Sequence, residues 1–481
     1  MRKCSSRQTR DRISYLPDPI ISHIVSFLSM KDAMRACVLS RQWEHVCSSL
    51  SNLEFDQRDF RLRNGSDIQS SRTQVDDDIG MHKRKLVDFR NFVDKMLLRH
   101  EGSNVQRFRL WTEVDDECIS SHHVNAWISF ALDHKVQDLD VCFRQRERTK
   151  LSHRLFTCPT LTALSLSRVK MELPSTVKFP ILKSLCLDYL IFNDENTMNK
   201  LLSPCTCPVL ENLIIRACSL SFKTLSILNI PNLKCFKLDH IRDLVVNLSA
   251  PFLRELDYVC LSPLNVSIQS LASLLTASFD FYKKFSGYPD FESYFDSATK
   301  ILKGLQNVER LGLMRGFIEI LANGRNLSAC LPPSLSSVKY LRLGMLPTKL
   351  HVQMILLLLT IFPNVRTVRV EVDYSEIEFE EESSLIISNV TNTEEHLQLK
   401  EVSTPEPIMV NYLRTVEMEN FGGSESELEL LRFFLENVKS LETLNVGYRF
   451  NLKRDTVLEK TCFEKISTFT RISPLVSVLT S

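Results

Sequence analysis

Residues 11–43 read DRISYLPDPIISHIVSFLSMKDAMRACVLSRQW. Leu16-Pro17-Asp18-Pro19 opens a helix: proline fixes φ and has no N–H to donate, so it belongs before the helix or in its first turn. Asp18 fits the N-cap and Pro19 the first helical position. Ile20, Ile21, Ile24, Val25, Phe27 and Leu28 then recur at helical spacing. They divide into two apolar stripes, more than one small core needs. Ser29 is placed to cap a second helix running to Val38, and a third begins near Ser40 and carries Trp43 and Val46. Three such short helices bury little surface alone, and units below roughly 40 residues usually need a staple or a partner. No metal-ligand set is present in this stretch to act as the staple. The helices must therefore pack on the rest of the chain or on a second protein. Leu16, Pro17, Ile20, Ile24, Leu28 and Trp43 are the expected exposed apolar patch, with Trp43 as the kind of aromatic anchor that dominates an interface. The competing reading makes these residues the small unit's own core.

A different pattern fills the chain beyond. L-x-x-L-x-L recurs as Leu161/Leu164/Leu166, Leu182/Leu185/Leu187 and Leu210/Leu213/Ile215, with weaker copies at Leu233/Phe236/Leu238 and Leu253/Leu256/Tyr258. Further copies are Val308/Leu311/Leu313, Val338/Leu341/Leu343, Val365/Val368/Val370, Leu413/Val416/Met418 and Leu441/Leu444/Val446. The first five start 20 to 28 residues apart, and two longer gaps of 55 and 48 have room for a degenerate unit each. That period is the one of leucine-rich repeats, about 20–29 residues. One unit cannot bury its apolar side, whereas stacked neighbours can. Phe156-Thr157-Cys158-Pro159, Phe179-Pro180, Cys207-Pro208, Ile230-Pro231, Ala250-Pro251 and Phe362-Pro363 each precede a copy, as expected of a turn into a strand. The longer inserts Leu271–Leu302 and Leu350–Phe362 read as helices. Near the C-terminus Tyr412–Met418 reads as a strand, Glu425–Val438 as a helix with a Ser424/Glu427 capping box, and Leu441–Val446 as a returning strand, together a last repeat and cap.

The LPD opening, the run Ile24-Val25-Ser26-Phe27-Leu28 and the close Val38-Leu39-Ser40-Arg41-Gln42-Trp43 resemble an F-box. The wording DRIS-x-LPD with VLS-x-x-W resembles the large plant class that combines an F-box, leucine-rich repeats and a C-terminal FBD segment. Pro19, and His45-Val46-Cys47 where many members continue basic-x-x-Trp, depart from the pattern. The resemblance implies an α/β chain: a disordered lead at 1–10, a three-helix F-box at 11–50, and a linker with connecting helices at 51–100 that holds a flexible insert near 64–84. An irregular leucine-rich-repeat solenoid at 101–404, an FBD-type strand–helix–strand at 405–450 and a tail or cap at 451–481 follow. It also implies a non-catalytic substrate receptor. Leu16, Pro17, Ile20, Ile24, Leu28 and Trp43 would bind the adaptor subunit of an SCF-type cullin-RING ubiquitin ligase and through it the cullin, while the repeats hold a target protein.

Other classes find little support. The 59 Lys+Arg and 58 Asp+Glu leave a formal charge of +1, without the basic face that nucleic-acid binding requires, and Glu147 interrupts the local run Arg144–Lys150. His82-Lys83-Arg84-Lys85 reads as a solvated helix start sooner than as a nuclear-import patch, and the acidic run 376–382 as a solvated loop. The apolar run Met354–Leu359 is far below the ~20 residues that cross a membrane. No secretory signal opens the chain, so its 14 cysteines read as buried free thiols and not as a disulfide scaffold. Cys205-x-Cys207 has the wrong spacing for a zinc knuckle, and Cys118 with His122-His123 lacks a second cluster. No Walker loop, dinucleotide glycine fingerprint or G-x-S-x-G turn occurs, so neither cofactor nor metal is expected and no catalytic residue is assigned.

Overall fold

A computed structural model describes residues 16–37, 40–60, 75–102, 104–114, 117–144, 149–228, 230–242, 244–261, 264–266, 268–281, 291–324, 327–374, 410–449 and 456–480. The expectations for 1–10, 64–74, 145–148 and 376–382 fall outside these residues. The chain divides into two compact units, Met1–Ser221 and Phe222–Ser481.

The first unit begins with three helices, α1 (Asp18–Val25), α2 (Met30–Ala36) and α3 (Arg41–Ser48). A parallel sheet follows, built in order from strands Asn52–Asp56, Arg107–Glu113, Asp138–Arg144, Ala163–Ser167, Ser184–Asp188 and Asn212–Arg216. Its register is that of the repeat: Leu164 lies beside Leu185 and Leu185 beside Leu213, while Leu166 lies beside Leu187 and Leu187 beside Ile215. Each repeat thus adds one residue to each of two buried columns, and all six are sealed from water. The repeat starts earlier than the leucines suggest. Val105/Phe108/Leu110 and Val136/Leu139/Val141 occupy the same positions and are fully buried. The strand Asn52–Asp56 lies within the stretch read as a linker. From Val75 onward the expected flexible insert is the start of a long helix, α4 (Val75–Leu98). On it, His82 pairs with Glu113 at 2.9 Å and Lys83 with Glu117, which fits a solvated helix face. The helix α5 (Ser121–Asp133) packs alongside, with Trp127 Nε1 donating to Asp94 Oδ1 at 2.7 Å.

In the second unit, among the described residues, nine strands pair in parallel in one sheet, in the order Cys235–Arg242, Glu255–Leu261, Thr276–Asp280, Arg310–Leu313, Tyr340–Met345, Thr367–Val372, Thr415–Phe421, Thr443–Tyr448 and Ser477–Thr480. The column through Leu256, Ala277, Leu311, Leu341, Val368, Val416 and Leu444 is continuous. The gap of 55 residues does hide a unit, the strand Thr276–Asp280, so the insert Leu271–Leu302 is not one helix: a short helix Ile268–Ala272 precedes that strand and Phe291–Gly304 follows it. The gap of 48 adds no strand to the sheet, because Thr367–Val372 pairs directly with Thr415–Phe421. Lys349–Thr360 is helical as expected. The strand–helix–strand at the C-terminal end is present with its helix at Glu425–Asn437, yet it is not last: Ser477–Thr480 pairs beyond it.

Two carboxylates of this unit, buried Glu427 and half-buried Asp280, lead to measurable consequences. Glu427 accepts from Gly422 N at 2.8 Å, Ser424 N at 2.7 Å and Tyr374 Oη at 2.7 Å, while Ser424 Oγ accepts from Glu427 N. This is a capping box to which two further donors, Gly422 N and Tyr374 Oη, are recruited. Burial, then the neighbouring Glu427 charge, hold the Tyr374 hydroxyl well above its ordinary titration range, so it stays a donor. Glu427→Ala should cost about 2–3 kcal/mol by chemical denaturation, since each buried donor left unmade costs roughly 1–3 kcal/mol. Asp280 is pushed up to about 6 by burial, opposed by the Gly316 N–H at 2.9 Å and by Arg315. Its folded value lies above the free side chain's 3.8, so its contribution is complete below that value and is lost as pH rises through about 6. Denaturation curves between pH 4 and 7 should show Asp280→Asn losing that fall in stability relative to the native chain.

Candidate protein-docking site

Pro17, with φ −59° and ψ 145°, ends the incoming chain and serves as N-cap of α1, so Asp18 is the first helical residue and Pro19 lies one position deeper than its spacing suggests. The Asp18 carboxylate does not cap its own helix. It accepts from Gln42 Nε2 at 2.6 Å, and the same amide donates to Leu16 O at 2.9 Å. Gln42 of α3 thus fixes the start of α1. Ser29 and Ser40 cap the other two helices by accepting from Asp32 N at 3.2 Å and Trp43 N at 3.3 Å.

The two stripes of α1 have separate fates. Ile21 and Val25 turn inward and join Ala33, Trp43, Val46 and Cys47 in a small core, against which Leu16 and Ile24 pack partly buried. Ile20 is 46% exposed, Leu28 39% and Phe27 76%, and Pro17 is exposed beside them. The outward stripe is stiffened locally. Phe27 N donates to Ile24 O at 3.2 Å and Leu28 N to Val25 O at 3.0 Å, so the last turn tightens. The His23 ring meets Phe27 edge-on at 4.8 Å. The remaining side of the three helices is joined to the rest of the unit: Lys31 Nζ donates to Asp59 O at 3.0 Å and sits 4.4 Å from the Phe60 ring centre, and Glu101 N donates to Ser48 O at 2.8 Å.

Trp43 departs from expectation. It is only 3% exposed and forms the centre of the small core, so it is not part of the outward patch. A core this small needs its largest side chain inside. Phe27, by contrast, was counted among the helical repeats but not in the patch, although it lies seven residues after Ile20 and three after Ile24, on their face of the helix.

Family models match the chain in three places: the F-box domain at residues 13–55, the leucine-rich repeats of FBD-associated F-box protein At5g56370 at 124–277, and FBD at 404–446. It is a plant-type F-box, leucine-rich-repeat and FBD protein. Among relatives of this F-box protein in Arabidopsis thaliana, putative F-box/LRR-repeat protein At3g44810 is 27% identical over 461 residues, 91% of each chain. Putative F-box/LRR-repeat protein At3g59160 is 28% identical over 343 residues, 65% of this chain and 73% of the relative. F-box/LRR-repeat protein At2g42730 is 32% identical over 232 residues, 46% of this chain and 47% of the relative, so that match spans about half of either protein. The exposed stripe of α1 falls inside the F-box match, the repeat columns run through the leucine-rich-repeat match, and the Glu427 capping box lies in the FBD match. Among the described residues no group of His, Cys, Asp and Glu is arranged to hold a metal ion, and no helix is long and apolar enough to cross a membrane.

Proposed function

We propose that this F-box protein is a substrate-recognition subunit of an SCF-type cullin-RING ubiquitin ligase. The outward stripe of α1 docks on the SCF adaptor, and through it on the cullin, while the repeat units hold a target protein. The observation that carries this reading is the uncovered set Pro17, Ile20, Phe27 and Leu28, flanked by half-buried Leu16 and Ile24, on a helix whose other stripe already fills its own core. Contiguous apolar surface of this kind marks a contact with another macromolecule. Trp43 supports the docking helix from beneath. The protein performs no covalent step in this role; it raises the effective concentration of target lysines near activated ubiquitin.

A small-molecule receptor would be favoured by a basic floor on the repeat strands. Four arginines on these strands are instead paired with acids on neighbouring strands. Arg107 meets Asp138 at 2.7 Å, Arg109 meets Asp140 at 3.1 Å, Arg342 meets Glu371 at 2.6 Å and Arg369 meets Glu419 at 2.6 Å. Such ladders suit a protein target more than a compact anion. Affinity capture of the tagged chain from plant extract should recover the SCF adaptor and cullin in near-stoichiometric amount. Recovery of the chain free of both would leave it a repeat scaffold without ligase assembly.

A further inference from the structure

We propose that Cys37 and Cys47 are a peroxide-sensitive thiol pair whose oxidation to a disulfide staples the end of α2 to α3. The two thiols converge on one point. Cys37 Sγ donates to Ala33 O at 3.3 Å and Cys47 Sγ donates to the same oxygen at 3.4 Å, so both sulfurs face one atom. A disulfide requires the sulfurs to close to about 2 Å, which asks for rotation of two side chains that already face one carbonyl oxygen. Access is built in. Both cysteines border an open cleft of about 520 Å³, whose rim includes Met34, Arg41, His45 and Arg99. It is ample for a peroxide molecule, and its rim sets Arg41 and Arg99 beside Glu44 and Glu101.

The pair is asymmetric. Cys37 is half-buried and Cys47 buried; the neighbouring Cys47 thiol draws Cys37 below its ordinary value, against burial and Glu44, while Cys37 and burial drive Cys47 upward. Cys37 is therefore the attacking group and Cys47 the resolving one. Cys37 thiolate attacks the O–O bond of hydrogen peroxide, giving Cys37 sulfenic acid and hydroxide. Cys47 sulfur then displaces the sulfenic oxygen, its own proton leaving with that oxygen as water. Two electrons pass from the sulfurs to peroxide; the hydroxide takes up the proton that Cys37 lost on forming its thiolate, and the sum from two thiols and one peroxide is one disulfide and two waters. The product supplies the covalent staple that a three-helix unit of this size otherwise lacks.

The test uses the full chain treated with dilute hydrogen peroxide, then alkylated and digested with trypsin. Cleavage after Arg35, Arg41 and Arg58 leaves the two cysteines on separate peptides, 36–41 and 42–58. The expected product is those peptides joined, two hydrogens lighter than their sum and separated by dithiothreitol, with Cys37 consumed several-fold faster than the exposed Cys205. Cys47→Ser should leave Cys37 as a sulfenic acid trapped by dimedone. In the native chain, oxidation should slow amide exchange in α2 and α3 by about tenfold or more. Cys37 and Cys47 both still alkylatable when Cys205 is oxidised, or Cys37 joined to any other cysteine, would overturn the assignment.

Discussion

Trp43→Ala should melt the three-helix unit while leaving the repeat sheets folded. The side chain is the largest in a core of six, and deleting a buried tryptophan costs about 3–5 kcal/mol. A unit this small has little more than that to lose. The expected result is fast amide exchange throughout α1, α2 and α3, with protection intact in the strands from Arg107 onward. Adaptor binding would vanish as well, but through unfolding, so the variant reports on support and not on contact. Exchange in the three helices unchanged from the native chain would show that Trp43 is not the keystone its burial indicates.

Ile20→Asp combined with Phe27→Asp should have the opposite signature. Phe27 is largely in water already and Ile20 about half so, and the helices should keep their stability to within about 0.5 kcal/mol, as surface substitutions usually do. Adaptor affinity should fall by roughly a hundredfold or more. An interface anchor is typically worth about 2 kcal/mol or more when truncated, each 1.4 kcal/mol is tenfold, and a carboxylate pressed against an apolar partner adds its desolvation. Calorimetric titration of purified adaptor into native and doubly substituted chain checks both halves. Equal affinity with intact helices would place the contact elsewhere.

The columns Leu164–Leu185–Leu213 and Leu341–Val368 were legible because a repeat writes its core at a fixed period. Val105/Phe108/Leu110 and Val136/Leu139/Val141 hold the same positions but escaped a search keyed to leucine, since the position demands bulk and not one residue type. Arg168, Tyr189 and Ala217 leave successive strands at φ 58°, 51° and 47° although none is glycine. Residue type does not announce such a conformation; the repeat geometry imposes it. At the docking site both stripes of α1 were visible at helical spacing, but their inside and outside were not. Trp43 went inward because three short helices have no other large group to close their centre, and that follows only once Ser40, Gln42 and Asp18 have set how α3 meets α1.

The central claim is that the outward stripe of α1 is covered by another polypeptide. Amide exchange of the full chain with and without saturating adaptor tests it most directly. New protection should be concentrated at residues 18–28, with the repeat strands unchanged. Saturated adaptor that protects only repeat strands, or leaves 18–28 exchanging as in the free chain, would contradict it.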